Sequence, residues 1–133
     1  MSEYERNKVV AYPISKELAD VLDDISMRDD PRRDLFGREK GYFKLESYYN
    51  YSEREYNYYL VYILYNSCDY DYDGGDFGRR RELRDSEKEK YKKLFEQIIP
   101  VDENKFKYLD YTYYNCSNAP DYYAGRDPFE DEI

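Results

Sequence analysis

The residues with the clearest potential for chemistry lie in the stretch CDYDYDGGDFGRRR, residues 68–81. Asp69, Asp71 and Asp73 alternate with tyrosines and precede two glycines, as at the start of a calcium-binding loop of the EF-hand type. Such a loop also needs a bidentate glutamate at its twelfth position, which counted from Asp69 is Arg80. The chain before the loop is typical of a strand, whereas an EF-hand requires a helix there. The pattern therefore favours a flexible acidic connection over a calcium site.

This acidic loop keeps two functional interpretations open. One is a weak calcium site that uses Asp69, Asp71, Asp73 and Asp76. The other is a contact element for a partner, because a loop that carries acids and two tyrosines is suited to binding. The predicted partner-binding residues of the loop are Asp69, Tyr70, Asp71, Tyr72, Asp73 and Asp76.

Composition lowers the expectation of catalysis. The chain of 133 residues has no histidine, which excludes Ser-His and Cys-His nucleophile pairs and histidine metal sites. Cys68 and Cys116 do not form a CxxC motif, and we expect them to be free thiols in a cytoplasmic protein. We predict a protein that is not an enzyme and that holds no cofactor or metal.

Net charge indicates the kind of partner. The formal charge is -9, so free nucleic acid and anionic membranes are poor partners, since phosphate binding requires Lys and Arg. We expect a protein with a basic surface as the partner.

The first residues, MSEYERNKVV, lack the apolar core of a signal peptide, and the longest apolar run is too short to span a bilayer.

Periodicity predicts four strands and two helices in the order β-α-β-β-α-β. The strands are expected at residues 8–14, 41–49, 56–66 and 104–115, and the helices, with their serine caps, at residues 15–27 and 86–99. Pro13 and Pro100 are expected to stop the elements that precede them. This order predicts an α+β fold, an antiparallel sheet of about four strands with two helices on one face, in the ferredoxin-like manner. Residues 1–115 form the predicted domain, and residues 116–133 an acidic, irregular tail.

The first predicted helix carries a stripe of acids. Leu18, Val21, Leu22 and Ile25 form its predicted apolar face, and Glu17, Asp20 and Asp24 lie on its outer side. If the helix continued to Asp30, six acids would give one negative charge per ~3.5 Å, close to the spacing along one DNA strand. The outer stripe is then a candidate imitation of nucleic acid, and the alternative is an ordinary solvated helix face.

Tyrosine is the second unusual feature, with 20 in the chain and eight between Tyr48 and Tyr65. If Val61 and Ile63 face the helices, then Tyr56, Tyr58 and Tyr62 line an open sheet face and could form the centre of a protein contact. The alternative is cross-strand pairing that only stabilises the sheet.

Two short stretches bear on nucleic-acid binding. The segment KGYFKL, residues 40–45, resembles part of an RNA-recognition-motif signature, which leaves a single-stranded RNA module as an alternative. The segment RRRELR, residues 79–84, is expected to pair within the chain, with the acidic loop or with the helix that follows.

Together these features predict a small interaction protein that inhibits a partner stoichiometrically by occupying its basic or nucleic-acid-binding surface. In size, acidity and tyrosine content the chain resembles phage or mobile-element inhibitors of host defence, such as anti-restriction and anti-CRISPR proteins. That resemblance implies a DNA mimic in the host cytoplasm that has no turnover of its own. The alternatives are a calcium-binding or single-stranded RNA-binding module, or a carboxylate-dependent enzyme.

Overall fold

The computed structural model describes residues 4–36, 42–50, 53–69, 80–105, 108–116 and 129. Within them the elements are β1 (Tyr4–Ile14), α1 (Lys16–Met27), β2 (Phe43–Asn50), β3 (Glu55–Asp69), β4 (Arg80–Glu82), α2 (Asp85–Glu96) and β5 (Leu109–Cys116). Two short 3-10 helices lie at Pro31–Phe36 and Glu103–Lys105. The predicted α+β class is confirmed.

The strands form one antiparallel sheet in the order β2-β3-β1-β5-β4, with β1 at its centre. The described residues form five strands, whereas the sequence predicted four. The additional strand is β4, which lies between β3 and α2 in the chain. The extra strand has only three residues, Arg80–Glu82, which is too short to produce a periodic pattern. It pairs with β5 at one edge of the sheet.

Strand β1 ends at Ile14, as the predicted strand 8–14 does, but it begins at Tyr4 and Pro13 lies within it rather than stopping it. Proline cannot donate a hydrogen bond to a neighbouring strand, so it is tolerated where one side of a strand lacks a partner. The pairing of β1 with β5 ends at Ala11, whereas its pairing with β3 continues to Ile14. Pro13 therefore lies where β1 has only one neighbour.

Helix α1 begins and ends where the sequence predicted. The Ser15 hydroxyl accepts a hydrogen bond from the Leu18 N–H at 3.1 Å, which caps the first turn. Leu22 and Ile25 are buried against the sheet. Val21 was predicted on the same apolar face but is 54% exposed, because its position lies at the border of that face.

Helix α2 begins one residue before the predicted cap, with Arg84 rather than Ser86 preceding its first turn. The Glu87 carboxylate accepts a hydrogen bond from the Arg84 N–H at 3.1 Å and so satisfies a donor at the helix start. The helix ends at Glu96, shorter than predicted, although Ile98 and Ile99 in the following turn are buried as expected.

Both helices pack on one face of the sheet around an aromatic centre. Phe95 of α2 is fully buried, and its ring centroid lies 4.7 Å from Tyr108, 5.1 Å from Phe43 and 6.2 Å from Tyr12. Leu22 of α1 belongs to the same cluster. The predicted placement of two helices on one face is consistent with this cluster, which joins α1, α2 and the central strands.

The two faces of β3 are the reverse of those predicted. Tyr62 packs against the helix side of the core, with its ring 5.1 Å from Phe43 and 6.1 Å from Tyr91 of α2. Val61 and Ile63 face the opposite side. Residues of a strand alternate between its faces, but alternation does not say which face the helices cover. The expectation that Tyr62 lines an open face is therefore wrong.

Candidate interaction surfaces

The outer face of α1 combines acids with exposed apolar side chains. Its carboxylates belong to Glu17, Asp20, Asp23 and Asp24, all exposed. On the same side of the helix Val21 is 54% exposed and Met27 is 76% exposed. Elsewhere in the described chain, large exposed apolar side chains are those of Tyr42 and Tyr56. From here on, the outer face of α1 means Glu17, Asp20, Val21, Asp23, Asp24 and Met27.

Two of the acids on this face are paired along the helix. Lys16 Nζ lies 3.4 Å from Asp20, and Arg28 Nε lies 2.9 Å from Asp24. Both pairs are well exposed, so each is weak and screened by salt. Helix α1 still carries four acids against one base within its own span, which leaves the face negative.

The acidic stripe does not extend to Asp30, because α1 ends at Met27. The Arg32 guanidinium instead binds the Asp30 carboxylate, with Nε at 3.2 Å, and this hydrogen bond lowers the pKa of Asp30. The near-regular spacing of carboxylates is therefore confined to the span from Glu17 to Asp24.

The three tyrosines predicted as a contact centre do not form one exposed cluster. Tyr62 belongs to the helix-side core, Tyr58 is half-buried, and Tyr56 is 56% exposed with its ring 5.3 Å from Tyr49. Tyr58 pairs with Ile14, and α1 starts two residues after Ile14. Tyr56 and Tyr58 thus lie at the end of the sheet where α1 begins.

Most of the predicted acidic loop lies outside the described residues. Asp69 is the last residue of β3. Tyr70, Asp71, Tyr72, Asp73 and Asp76 fall in the part of the chain that is not described. Among the described residues no group of three or more Cys, Asp or Glu side chains could hold a metal ion.

A charge network that the sequence analysis missed surrounds Asp110 of β5. The Asp110 carboxylate is 5% exposed and lies 2.9 Å from Arg81 Nη2 and 3.4 Å from Lys8 Nζ. Arg81 also donates to both carboxylate oxygens of Glu87, at 2.9 and 3.1 Å. The predicted pairing of the arginine-rich stretch within the chain is confirmed for Arg81, which binds the helix that follows it.

The network joins β1, β4, β5 and the first turn of α2. Hydrogen bonds from the Arg81 guanidinium, and then from the Arg84 N–H, lower the pKa of Glu87 to about 2. The Glu87 hydrogen bond in turn raises the pKa of Arg81. Every charged group in the network contacts a group of opposite sign, so removing a cation would leave the buried Asp110 carboxylate with fewer partners and destabilise the fold. The sequence signal for this network was Asp110, the one acid within the aromatic run YLDYTYY.

The face of the sheet opposite the helices carries a second missed feature, which we call the aromatic pocket: Tyr48 of β2, Tyr59 of β3 and Tyr111 of β5. Phe129 fills this pocket, 6% exposed, with ring centroids 6.0, 4.9 and 5.2 Å from those three tyrosines. Arg80 Nη1 donates to the Phe129 carbonyl at 2.8 Å. Phe129 belongs to the segment predicted as an irregular tail, and only its aromatic character pointed to this packing.

Within the described residues no helix has the length and apolar character needed to cross a membrane. Comparison with known proteins finds no matching family model, no matching curated relative and no matching solved structure. Any function assigned to the chain therefore depends on the surfaces described above.

Proposed function

We propose that this chain is a non-catalytic interaction protein that occupies a basic, nucleic-acid-binding surface of a partner protein. The observation that carries the proposal is the outer face of α1, where carboxylates surround the exposed side chains of Val21 and Met27. An isolated solvated face would need no large apolar side chains. A contact surface uses them, because apolar groups at the centre of an interface supply much of the binding energy.

Charge distribution between the two helices supports the choice of α1. Helix α1 carries four acids and one base, whereas α2 carries four of each. A basic partner would therefore approach α1 rather than α2, because complementary potentials guide the encounter. The carboxylates would mainly set the association rate, and Val21 and Met27 would slow dissociation.

The partner we propose is a nucleic-acid enzyme or complex in the cytoplasm, inhibited by occupation of its binding groove. A host-defence enzyme blocked by a phage protein is the form that the composition suggests. Tyr56 and Tyr58 extend the contact, because they lie at the end of the sheet where α1 begins. The acidic loop adds further negative charge. The chain binds stoichiometrically and turns over no substrate.

The test compares two triple variants of equal charge change. The first, Glu17→Lys/Asp20→Lys/Asp24→Lys, reverses the outer face of α1. The second, Glu82→Lys/Glu89→Lys/Glu96→Lys, reverses exposed acids of β4 and α2 and is the matched control. Each immobilised protein is exposed to heparin-binding proteins from a bacterial lysate, and retained proteins are eluted with double-stranded DNA.

We expect the wild type and the control variant to retain the same DNA-displaceable proteins, and the α1 variant to lose them. Retention should also fall between ~50 mM and ~500 mM salt, because the Debye length shortens about threefold. Equal losses in both variants would show a dependence on net charge alone. Retention by the α1 variant, with its fold verified by circular dichroism, would refute the role of α1.

We also propose a ferredoxin-like fold with one added edge strand. The order β2-β3-β1-β5 supports this. Helix α1 connects β1 to β2, which β3 separates in the sheet, and the segment of β4 and α2 connects β3 to β5, which β1 separates. An experimental structure that placed α1 and α2 on opposite faces of the sheet would contradict it.

A further inference from the structure

Strand β2 forms one edge of the sheet and lacks the usual protections of an edge. Among the residues that the structure describes, no strand lies beyond β2, which has eight residues, whereas the opposite edge strand, β4, has only three. The pairing of β2 with β3 is continuous over the whole of β2, without a bulge, and β2 contains no proline. Bulges, prolines and short length are the features that keep a sheet edge from pairing, so β2 can accept a further strand.

The hydrogen bonding between β2 and β3 shows which main-chain groups point outward. The Tyr42 carbonyl accepts a hydrogen bond from the Ile63 N–H at 3.0 Å, so Tyr42 directs its main-chain groups toward β3. In an antiparallel pair this direction alternates along the strand. Phe43, Leu45 and Ser47 therefore direct their N–H and C=O groups away from β3, at the outer edge of the sheet.

The charge on β2 is self-complementary. Lys44 and Glu46 are two residues apart, lie on the same sheet face and approach each other to 3.5 Å. Strand β2 is therefore neutral, in a chain whose net charge of -9 makes its copies repel each other elsewhere. One cation and one anion at this spacing can each face the opposite charge on an identical antiparallel strand.

We propose that β2 pairs with β2 of a second copy of this chain, antiparallel across a two-fold axis at Leu45. In that register Lys44 of each copy lies opposite Glu46 of the other. Leu45 pairs with its counterpart and Phe43 pairs with Ser47, and each of these pairs exchanges two main-chain hydrogen bonds. Leu45 is half-buried in the single chain, so contact with its counterpart removes further apolar surface from water.

Charge selects this register among those that two-fold symmetry allows. Residues opposite each other must lie on the same sheet face, so the axis passes through a residue of β2. An axis at Lys44 or at Glu46 places like charges opposite each other, and an axis at Ser47 places both charges opposite uncharged residues. Among the axes within β2, the one at Leu45 alone pairs Lys44 with Glu46.

This dimer goes beyond the proposed function and does not rest on it. A two-fold axis perpendicular to the sheet leaves the helices of both copies on the same side, so the outer faces of both α1 helices point in the same direction. The two proposals fail separately. Loss of the dimer leaves the contact of α1 with its partner, and loss of that contact leaves the pairing of the β2 edges.

Sedimentation velocity of the full chain over a concentration series measures the dimer. The contact is small, so we expect the wild type to dimerise with a dissociation constant of the order of 10 µM. Lys44→Glu and Glu46→Lys each turn two attractive pairs into repulsive ones and should each raise the dissociation constant at least about tenfold. An equimolar mixture of these two variants should dimerise again, because every charge on one chain then faces its opposite on the other.

The matched controls are Lys93→Glu and Glu89→Lys, which make the same charge changes at exposed positions of α2. Each should change the dissociation constant by less than about threefold, because charges far from the contact are screened. The two β2 variants change the net charge in opposite directions, so a weaker dimer in both cannot result from net charge alone.

A disulfide across the axis provides a second measurement of the register. Residues directly opposite each other in a hydrogen-bonded antiparallel pair have Cα atoms ~5.5 Å apart, within the ~4.4–6.8 Å that a disulfide spans. Oxidised Leu45→Cys should therefore form a covalent dimer, and Ser47→Cys should not. The wild type, which also contains Cys68 and Cys116, gives the background.

Several results would overturn the proposal. A wild type that stays monomeric at ~100 µM, about ten times the expected dissociation constant, would do so, as would equal weakening by Lys44→Glu and Lys93→Glu. A mixture of the β2 variants that stays monomeric, or a covalent dimer that Leu45→Cys does not form in excess of Ser47→Cys, would exclude the register. Circular dichroism verifies the fold of each variant, and if Glu46→Lys does not fold, Lys44→Glu and the two cysteine variants decide the question.

Discussion

Removing Arg81 should destabilise the chain more than neutralising its partner Asp110. The reason is the unequal burial of the two groups: the Asp110 side chain is 5% exposed and the Arg81 side chain 44% exposed. The substitution Arg81→Met keeps the length of the side chain but leaves the Asp110 carboxylate with Lys8 alone, at 3.4 Å. The substitution Asp110→Asn leaves Arg81 bound to Glu87 and open to water.

The expected magnitudes follow from that asymmetry. Breaking a fully buried ion pair costs about 3–5 kcal/mol, and the Lys8 contact and partial exposure of Arg81 reduce this to about 2–3 kcal/mol for Arg81→Met. For Asp110→Asn we expect about 1 kcal/mol, because no buried charge is left without a partner. The double variant should be more stable than Arg81→Met alone, since it removes the buried charge as well.

Urea unfolding of the wild type, both single variants and the double variant provides the measurement. The midpoints should shift while the dependence on urea stays constant, which shows that the free energy of unfolding has changed. Lys16→Met is the matched control, because it also removes one cation of an ion pair, at an exposed site. We expect it to change stability by less than ~0.5 kcal/mol.

The reasoning is refuted if Asp110→Asn destabilises the chain as much as Arg81→Met does. It is also refuted if the double variant is less stable than Arg81→Met. Either result would mean that burial of the Asp110 carboxylate is not the reason why loss of Arg81 destabilises the chain.

Two further predictions concern the ends of the helices. The pKa of Glu87 is lowered from 4.5 to about 2, so as the pH falls through this range the unfolded chain takes up the proton first and stability decreases. Urea midpoints measured from about pH 5 to about pH 3 should therefore fall less steeply for Glu87→Gln than for wild type, and equal slopes would contradict the pairing with Arg81. Ser15→Ala should lower the free energy of unfolding by about 1 kcal/mol through loss of the α1 cap, whereas Ser15→Asp should retain most of it; equal losses would exclude a capping role.

Local features of the fold were predictable because their causes lie within a few residues. The start of α1 follows from Ser15 and its length from the spacing of Leu18, Leu22 and Ile25. The buried turn Ile98–Ile99 before Pro100 was predictable on the same basis. Alternation in β3 also predicted correctly that Tyr59 and Val61 share one face of the sheet and that Leu60 and Tyr62 share the other.

Sequence reasoning had less success with the candidate surfaces. The acidic outer side of α1 was predictable, because helical spacing alone separates Asp20 and Asp24 from Leu22. The exposure of Val21 was not, because Val21 lies at the border of the apolar face and only the packing of α1 on the sheet decides whether a border residue is covered. The contacts of Arg81 with Asp110 were not predictable either, because 29 residues separate the two in the chain.

The sequence by itself determined the α+β class, the position of α1, the acidity of its outer face and the alternation of the strands, because these depend on neighbours two to four residues away. Tertiary structure alone decided which face of β3 the helices cover, the edge position of β4, the network around Asp110 and the docking of Phe129. Each of these depends on contacts between distant segments, and a given local pattern is compatible with more than one such contact. Tyr62 shows this most directly. Alternation predicted that Tyr62 and Val61 lie on different faces of the sheet, and only the contacts of Tyr62 with the rings of Phe43 and Tyr91 show that its face is the one the helices cover.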